Sequence, residues 1–270
     1  MKSVDEEYLD LDPLRVRVHA HQNYSERSED VEADVIREAA IAGNDDLLDV
    51  GSGTGSFLGR LRAGGHTGRL TAVDTSPAAV EAARAACGEA HLGSATELPF
   101  EDRTFDVVAA RHMLYHVDDP ELAIAQARRV LKPGARFVAT VNHLASTPYI
   151  SEIVRAAAVS SGVELPVLPN SRVHSGNLPD MVRAVFGSVT EFRHDNALVF
   201  TEIDPLIRFG HSLFGFYGVA VDSPERPEVS AAVTAAVKER FSGLDGPWRE
   251  PKGYVVCTAT RGQDGDADGE

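Results

Sequence analysis

The chain has 270 residues, with 41 acidic side chains against 26 basic ones and a net charge of −15 at pH 7. Apolar residues make up 43% and charged residues 25%, an ordinary globular composition that excludes global disorder, collagen-like repeats and a coiled coil. The acid surplus argues against a broad nucleic-acid footprint, which needs a basic face. No apolar run approaches the roughly 20 residues that cross a bilayer, so no membrane partner is expected. Met1-Lys2-Ser3-Val4-Asp5-Glu6-Glu7 has no apolar core of the secretory kind, and a cytoplasmic location is expected. Cys87 and Cys257 do not make a disulfide framework and read as small buried hydrophobes in a reduced compartment. The acidic first dozen residues and the Asp/Gly-rich residues 263–270 are expected to fray, the latter as a disordered tail.

Leu47-Leu48-Asp49-Val50 reads as a buried strand, Gly51-Ser52-Gly53-Thr54-Gly55 as a tight loop, and residues 56–62 as a helix. Leu70-Thr71-Ala72-Val73-Asp74 is the next strand. Ser76 then suits an N-cap and Pro77 the first helical position, where a missing N–H is harmless. The Ala-rich helix runs to Ala86 and Gly88 stops it. Residues 105–110 form a strand. Asp119-Pro120 opens a helix whose Ala123, Ile124, Ala127, Val130 and Leu131 share one stripe. Lys132-Pro133-Gly134 is expected to end that helix before a strand at 136–141. Strands that are apolar on both faces and alternate with helices imply an α/β, doubly wound, mostly parallel sheet. Beyond Asn142, helices are expected at 148–161, 178–186, 204–216 and 227–241, strand-like runs at 189–200, and a closing strand at 253–260.

The loop carries the chemistry. Gly51, Gly53 and Gly55 sit between a strand and a helix, where glycine permits the turn and lets backbone approach a ligand. The next strand ends in Asp74, 21 residues after Gly53, about the spacing at which an acid meets ribose hydroxyls in nucleotide-binding βαβ units. A plain tight turn with a helix-capping Asp is the structural alternative. The dinucleotide fingerprint needs its third glycine or alanine three positions after the second glycine, where this chain has Ser56. The spacing is instead Gly51-x-Gly53-x-Gly55, which sets a nicotinamide dehydrogenase aside.

With Leu47-Leu48-Asp49-Val50 before it, the loop resembles the first motif of class I S-adenosylmethionine (SAM)-dependent methyltransferases. Ala72-Val73-Asp74-Thr75-Ser76 is similar to their second motif. Ala95-Thr96-Glu97-Leu98-Pro99-Phe100 with Phe105-Asp106-Val107-Val108 resembles the approach to the fourth strand. His112-Met113-Leu114-Tyr115-His116-Val117 and Arg129-Val130-Leu131-Lys132-Pro133-Gly134-Ala135 resemble the segments past that strand in the small-molecule branch. The resemblance implies a Rossmann-like seven-stranded sheet with a helical substrate-binding insertion. It divides the chain into a lid segment at 1–30, a cofactor-binding core at 31–142, remaining core with insertions at 143–250 and a closing strand at 251–262. It implies SAM as cofactor, with S-adenosylhomocysteine as product.

By the same resemblance, Gly51, Ser52, Gly53 and Gly55 lie against the methionine part, and Asp49 holds the loop in shape. Asp74, with Thr75 beside it, bonds the ribose hydroxyls. Ala95 and Thr96 face adenine, and Arg111 and His112 lie beside the cofactor. Many relatives place an Asp before the Ala-x-x-Leu-Pro-Phe run, where this chain has Gly93-Ser94, so Ser94 is the weaker candidate acceptor there. Arg17-Val18-His19-Ala20-His21-Gln22-Asn23-Tyr24-Ser25 looks like a lid: Arg17 could pair with the cofactor carboxylate and Tyr24 approach the sulfonium. The alternative is an amphipathic surface helix.

Methyl transfer needs a base only when the acceptor holds a proton at working pH. His116, just after the fourth strand, is a candidate base or a loop cap, and His143 faces the same rim. His174, His194 and His211 in the insertion are weaker candidates. Phe209, Phe214, Phe216 and Tyr217, with Arg208 among them, suit either a flat acceptor or simple packing. No metal-binding constellation is read. The expected activity is methylation of an oxygen or nitrogen of a small organic molecule. The Arg-over-Lys and Ala-rich usage associates it with bacterial secondary metabolism. RNA or protein methylation, and a cofactor-binding scaffold without transfer, are the other readings; a homodimer is allowed.

Overall fold

The computed structural model describes residues 11–168 and 171–263; of the ends expected to fray, 1–12 and 263–270, residues 1–10 and 264–270 lie outside them, while Leu11 opens a helix. Seven strands form one sheet in the order β3-β2-β1-β4-β5-β7-β6. They are β1 (Leu47–Val50), β2 (Leu70–Asp74), β3 (Glu89–Leu92), β4 (Phe105–Arg111), β5 (Leu131–Asn142), β6 (Thr190–Phe200) and β7 (Trp248–Thr260). Strands β1 to β5 pair in parallel, and β7 runs antiparallel to β5. The helices are α1 (Leu11–Tyr24), α2 (Val31–Glu38), α3 (Ser56–Ala63), α4 (Pro77–Cys87), α5 (Pro120–Val130), α6 (Pro148–Ser160), α7 (Leu178–Phe186), α8 (Ile203–Ser212) and α9 (Arg226–Ser242). The expected seven-stranded, mostly parallel α/β fold is the one observed.

Local chemistry sets the boundaries. Ser76 and Asp119 accept from the backbone N–H groups of Ala79 and Leu122, and Pro77 and Pro120 come next in the chain. Gly88, at φ +90°, ends α4. Two expectations change. Lys132-Pro133-Gly134 lies inside β5 and not in a break: the pairing with β4 shifts register between Phe105 and Val107, and Gly134 turns at φ +76° and donates to the Arg261 carbonyl. Such an irregularity accommodates a proline that a regular ladder excludes. The short strand β3 is an addition to the expected elements, because Glu89-Ala90-His91-Leu92 carries too few apolar residues to signal a strand.

The chain divides into two compact units. One comprises residues 1–29, 145–168 and 195–253; the other comprises 30–144, 169–194 and 254–270. In the second unit successive strand residues enter opposite cores. Leu48 and Val50 of β1, with Val108 and Ala110 of β4, pack with α5 and α7. Leu47, Val107 and Ala109 pack with α2, α3 and α4. That period of two is the signature of a sheet covered on both faces. Cys257 is fully buried there, and burial pushes its thiol up to about 12; Cys87 is half-buried and also raised.

The first unit has its own core, in which Ile150, Val154, Phe200, Phe209, Phe214, Val233 and Trp248 are buried together. The chain returns to α1 through a small bridge between Ser25 and Leu198. Two buried charges organise this unit. Glu250 is fully buried and accepts from the Tyr149 and Ile150 amides at 2.7 and 3.1 Å, capping α6, and from Trp248 Nε1 at 2.7 Å. Burial raises its carboxyl against those donors. Lys252, 4% exposed, donates to Ser25 Oγ at 2.7 Å, to Glu29 and to His21 Nδ1. Burial pushes the Glu29 carboxyl up, but the His21 ring beside it and the hydrogen bonds from Lys252 and Asn196 outweigh it and hold it at about 2. Burial likewise lowers the Lys252 ammonium, which Glu29 pulls back. Among the described residues no helix is long and apolar enough to cross a membrane.

Candidate functional site

Beyond β1 the chain turns through Gly51, Gly53 and Gly55 at φ of +66°, +54° and +72°, a region side chains disfavour. A Cβ on Gly51 would stand 2.7 Å from Met113 Cβ, and one on Gly55 2.7 Å from the Ala83 Cα. Glycine at 51 therefore lets Met113 close against the loop, and glycine at 55 lets α3 and α4 meet. The Gly51 amide donates to the Val73 carbonyl at 2.8 Å, and the Gly53 amide to Asp74 Oδ2 at 2.9 Å. Asp74 Oδ1 accepts from the Ser76 amide at 3.0 Å. The carboxylate is thus fixed by one backbone donor on each oxygen, with lone pairs left on both.

The Ser52 hydroxyl, in the middle of this loop, belongs to a residue only 5% exposed and has no hydrogen-bond partner among the described residues. A buried hydroxyl left unbonded costs roughly 1–3 kcal/mol, so the Ser52 hydroxyl is open to a polar partner at this loop. Helix α3 also begins without a side-chain cap, leaving its first N–H groups uncommitted to side chains. Three positive-φ glycines, an oriented carboxylate and an orphaned hydroxyl fit a nucleoside with a vicinal diol and a charged amino-acid tail.

Asp49 does not bond the loop. Its fully buried carboxylate takes the Arg111 guanidinium, Nη2 at 2.9 Å and Nε at 3.3 Å. Arg111 also lies 4.1 Å over the Phe57 ring, and its Nη1 is 3.6 Å from Glu32. Glu32 in turn meets Arg60, which holds Asp30 with both terminal nitrogens. The structure thus gives the Asp49 carboxylate to Arg111 and not to the loop, and commits Arg111 to a buried pair. Ser94 is revised too. Its hydroxyl accepts from the Thr96 amide and bonds the Thr96 hydroxyl at 2.8 Å, so it closes its own turn. Ala95 is buried in the core, and Thr75 is exposed at the end of β2.

His112 comes after β4 in the left-handed region, φ +50°, and its amide donates to the Thr140 carbonyl at 2.8 Å. His116 is exposed on a short 3-10 turn with its ring against Tyr115. His143 is half-buried just past β5. The insertion histidines have structural work. His174 Nδ1 accepts from the Gly176 amide. His194 stacks on Tyr254 at 4.9 Å, and His211 lies near Ser230 and Thr234 with its ring lowered by burial.

Arg17 and Tyr24 belong to the other unit. The Arg17 guanidinium donates to the Ser212 carbonyl at 2.8 Å and stacks 4.7 Å over Phe216; the Tyr24 ring packs 4.8 Å from Phe200. Phe209, Phe214 and Tyr217 are buried, which is the packing reading. Sequence reasoning misses Glu32 and Met113 as site residues. Met113 lies in the motif already singled out, whereas no local pattern marks Glu32. Among the described residues no group of His, Cys, Asp or Glu is placed to hold a metal.

A mostly parallel sheet in this strand order, with a glycine loop after β1 and an acid ending β2, defines a Rossmann-like α/β fold. Within that class of fold, residues 48–139 match the methyltransferase domain family. Over 100 residues it is 38% identical to the O-methyltransferase cnsE of Penicillium expansum, covering 34% of this chain and 36% of that one. Over 101 residues it is 39% identical to the ubiquinone/menaquinone biosynthesis C-methyltransferase UbiE of a Ruegeria species, covering 34% and 40%. The chain thus spans about a third of the length of the curated relatives it matches. A crystal structure of a methyltransferase candidate from Bacillus halodurans shares the fold, with a TM-score of 0.54 at 18% identity over 86% of this chain and 99% of that one.

Proposed function

We propose that the protein binds SAM at the Gly51–Gly55 loop and transfers its methyl group to an oxygen or nitrogen of a small organic acceptor, within bacterial secondary metabolism. The observation that carries the reading is Asp74, held by the Gly53 and Ser76 amides beside the unbonded Ser52 hydroxyl. When bound, the sulfonium supplies an electrophilic methyl carbon. The chain's own residues bind and orient: Asp74 accepts from two ribose hydroxyls, and the loop leaves room for the amino-acid tail. His116 and His143 are the candidate proton acceptors for an alcohol or ammonium substrate, and a carboxylate acceptor would need neither. Relatives named for O- and for C-methylation support the reaction class and leave the acceptor to experiment.

Calorimetry tests the reading. The wild type should bind SAM. Asp74→Ala should weaken it by roughly two orders of magnitude or more, because it removes two charge-assisted hydrogen bonds of about 1.5–3 kcal/mol each. Absence of SAM binding by the wild type refutes the reading. Binding without release of S-adenosylhomocysteine across an acceptor screen would identify a scaffold of the same fold.

A further inference from the structure

We propose that a cleft in the first unit, walled by α1 and α8, binds a small aromatic carboxylate. Its volume is about 220 Å³, below the roughly 300–1,000 Å³ of pockets that enclose drug-sized ligands, so it suits one ring with one anionic group. Arg15 and His19 stand four residues apart on one face of α1, and Arg208 faces them from α8. In a chain with 41 acidic residues, neither Arg15 nor Arg208 has a hydrogen-bond or ion-pair partner among the described residues. In the same unit Arg17 is committed to the Ser212 carbonyl, Arg226 to the Val219 and Ala220 carbonyls and Arg249 to Glu26. The Arg27 and Arg155 side chains, like those of Arg15 and Arg208, have no such partner among the described residues, but they do not line this cleft. Two guanidinium groups lining one cleft, with no acidic partner among the described residues, give it a positive field that favours an anion.

The rest of the lining selects the kind of anion. His19 Nδ1 lies 3.1 Å from the Asn23 amide nitrogen. An acceptor role there puts the neutral ring's proton on Nε2, which adds a donor. The Tyr24 ring, held against Phe200, together with Val16, Ala20 and Pro205, offers an apolar wall for a flat group. Guanidinium forks match a planar carboxylate in bidentate fashion. A phosphate would satisfy the charge but leave the apolar wall uncovered. The assignment stands on this unit's residues alone and does not depend on methyl transfer.

Calorimetry on the full chain at low ionic strength should show benzoate binding, with benzamide and inorganic phosphate at least tenfold weaker. The Arg15→Gln/Arg208→Gln variant should lose at least tenfold in benzoate affinity. Its thermal melt should be unchanged, since both side chains are exposed, and so should its SAM affinity. The proposal is overturned by no benzoate binding at about 10 mM, by benzamide or phosphate binding as tightly, or by unchanged benzoate affinity in the variant. SAM titrated in the same samples tests the methyltransferase reading separately: its failure there leaves the benzoate result standing.

Discussion

Replacing Arg111 by methionine keeps much of the side chain's length over Phe57 but removes every hydrogen bond to the Asp49 carboxylate. Asp49 is fully buried, so no water replaces the guanidinium. Removing one partner of a buried pair leaves an uncompensated charge at a cost of roughly 3–5 kcal/mol, a large share of the roughly 5–15 kcal/mol that holds a protein folded. At about 2–4 °C per kcal/mol for a chain of this size, the circular-dichroism melt should fall by about 6–20 °C. The Asp49→Leu/Arg111→Met variant, which replaces both partners by apolar groups, should recover most of that loss. Glu32→Gln should cost less than about 1 kcal/mol, because Glu32 is partly solvated and 3.6 Å from the guanidinium. A loss below about 1 kcal/mol in Arg111→Met would refute the reasoning, since Asp49 would then not depend on Arg111.

Gly51→Ala combines a positive φ with a Cβ 2.7 Å from Met113; calorimetry should show at least tenfold weaker SAM binding, and Gly51→Ala/Met113→Ala only partial recovery, because the backbone strain remains. Glu250→Ala leaves two α6 amides and the indole N–H of Trp248 unbonded in the core. Urea unfolding should register a loss of about 2–5 kcal/mol, and the fluorescence of the single tryptophan should shift. Glu29 is held at about 2, below its ordinary 4.5. Its contribution is therefore complete above pH 4.5 and is lost as pH falls toward 2. Melts at pH 7 and pH 3 should differ less for Glu29→Gln than for the wild type, and an equal difference would count against the Lys252 pairing.

The features legible in the residues are those that local chemistry determines. Ser76-Pro77 and Asp119-Pro120 announce helix starts because cap and proline satisfy the same few N–H groups. The stripe of Ala123, Ile124, Ala127 and Val130 announces the buried face of α5. The glycine loop and Asp74 are legible because their spacing is set by one strand, one turn and one helix. Hidden features depend on distant partners. Nothing near Asp49 in sequence says that a guanidinium 62 residues away occupies it. Ser94 reads as an adenine acceptor by analogy, yet Thr96, two residues on, captures its hydroxyl. Pro133 and Gly134 read as a stop because a helix or a regular strand would reject them, and only the register shift beside Phe105 makes room.

The pairing of Lys252 with Ser25 and Glu29 also bears on synthesis. Glu29 precedes Lys252 by 223 residues, and a ribosome adding roughly 5–20 residues per second needs about 11–45 s to cover that interval. Until then α1 waits without its ammonium anchor, and Ala20 and Tyr24 lack the strand and helices that will cover them. The turns of α1 are thus made long before the residues that secure them. A chain that stops before Lys252 would keep its glycine loop intact and leave α1 untethered.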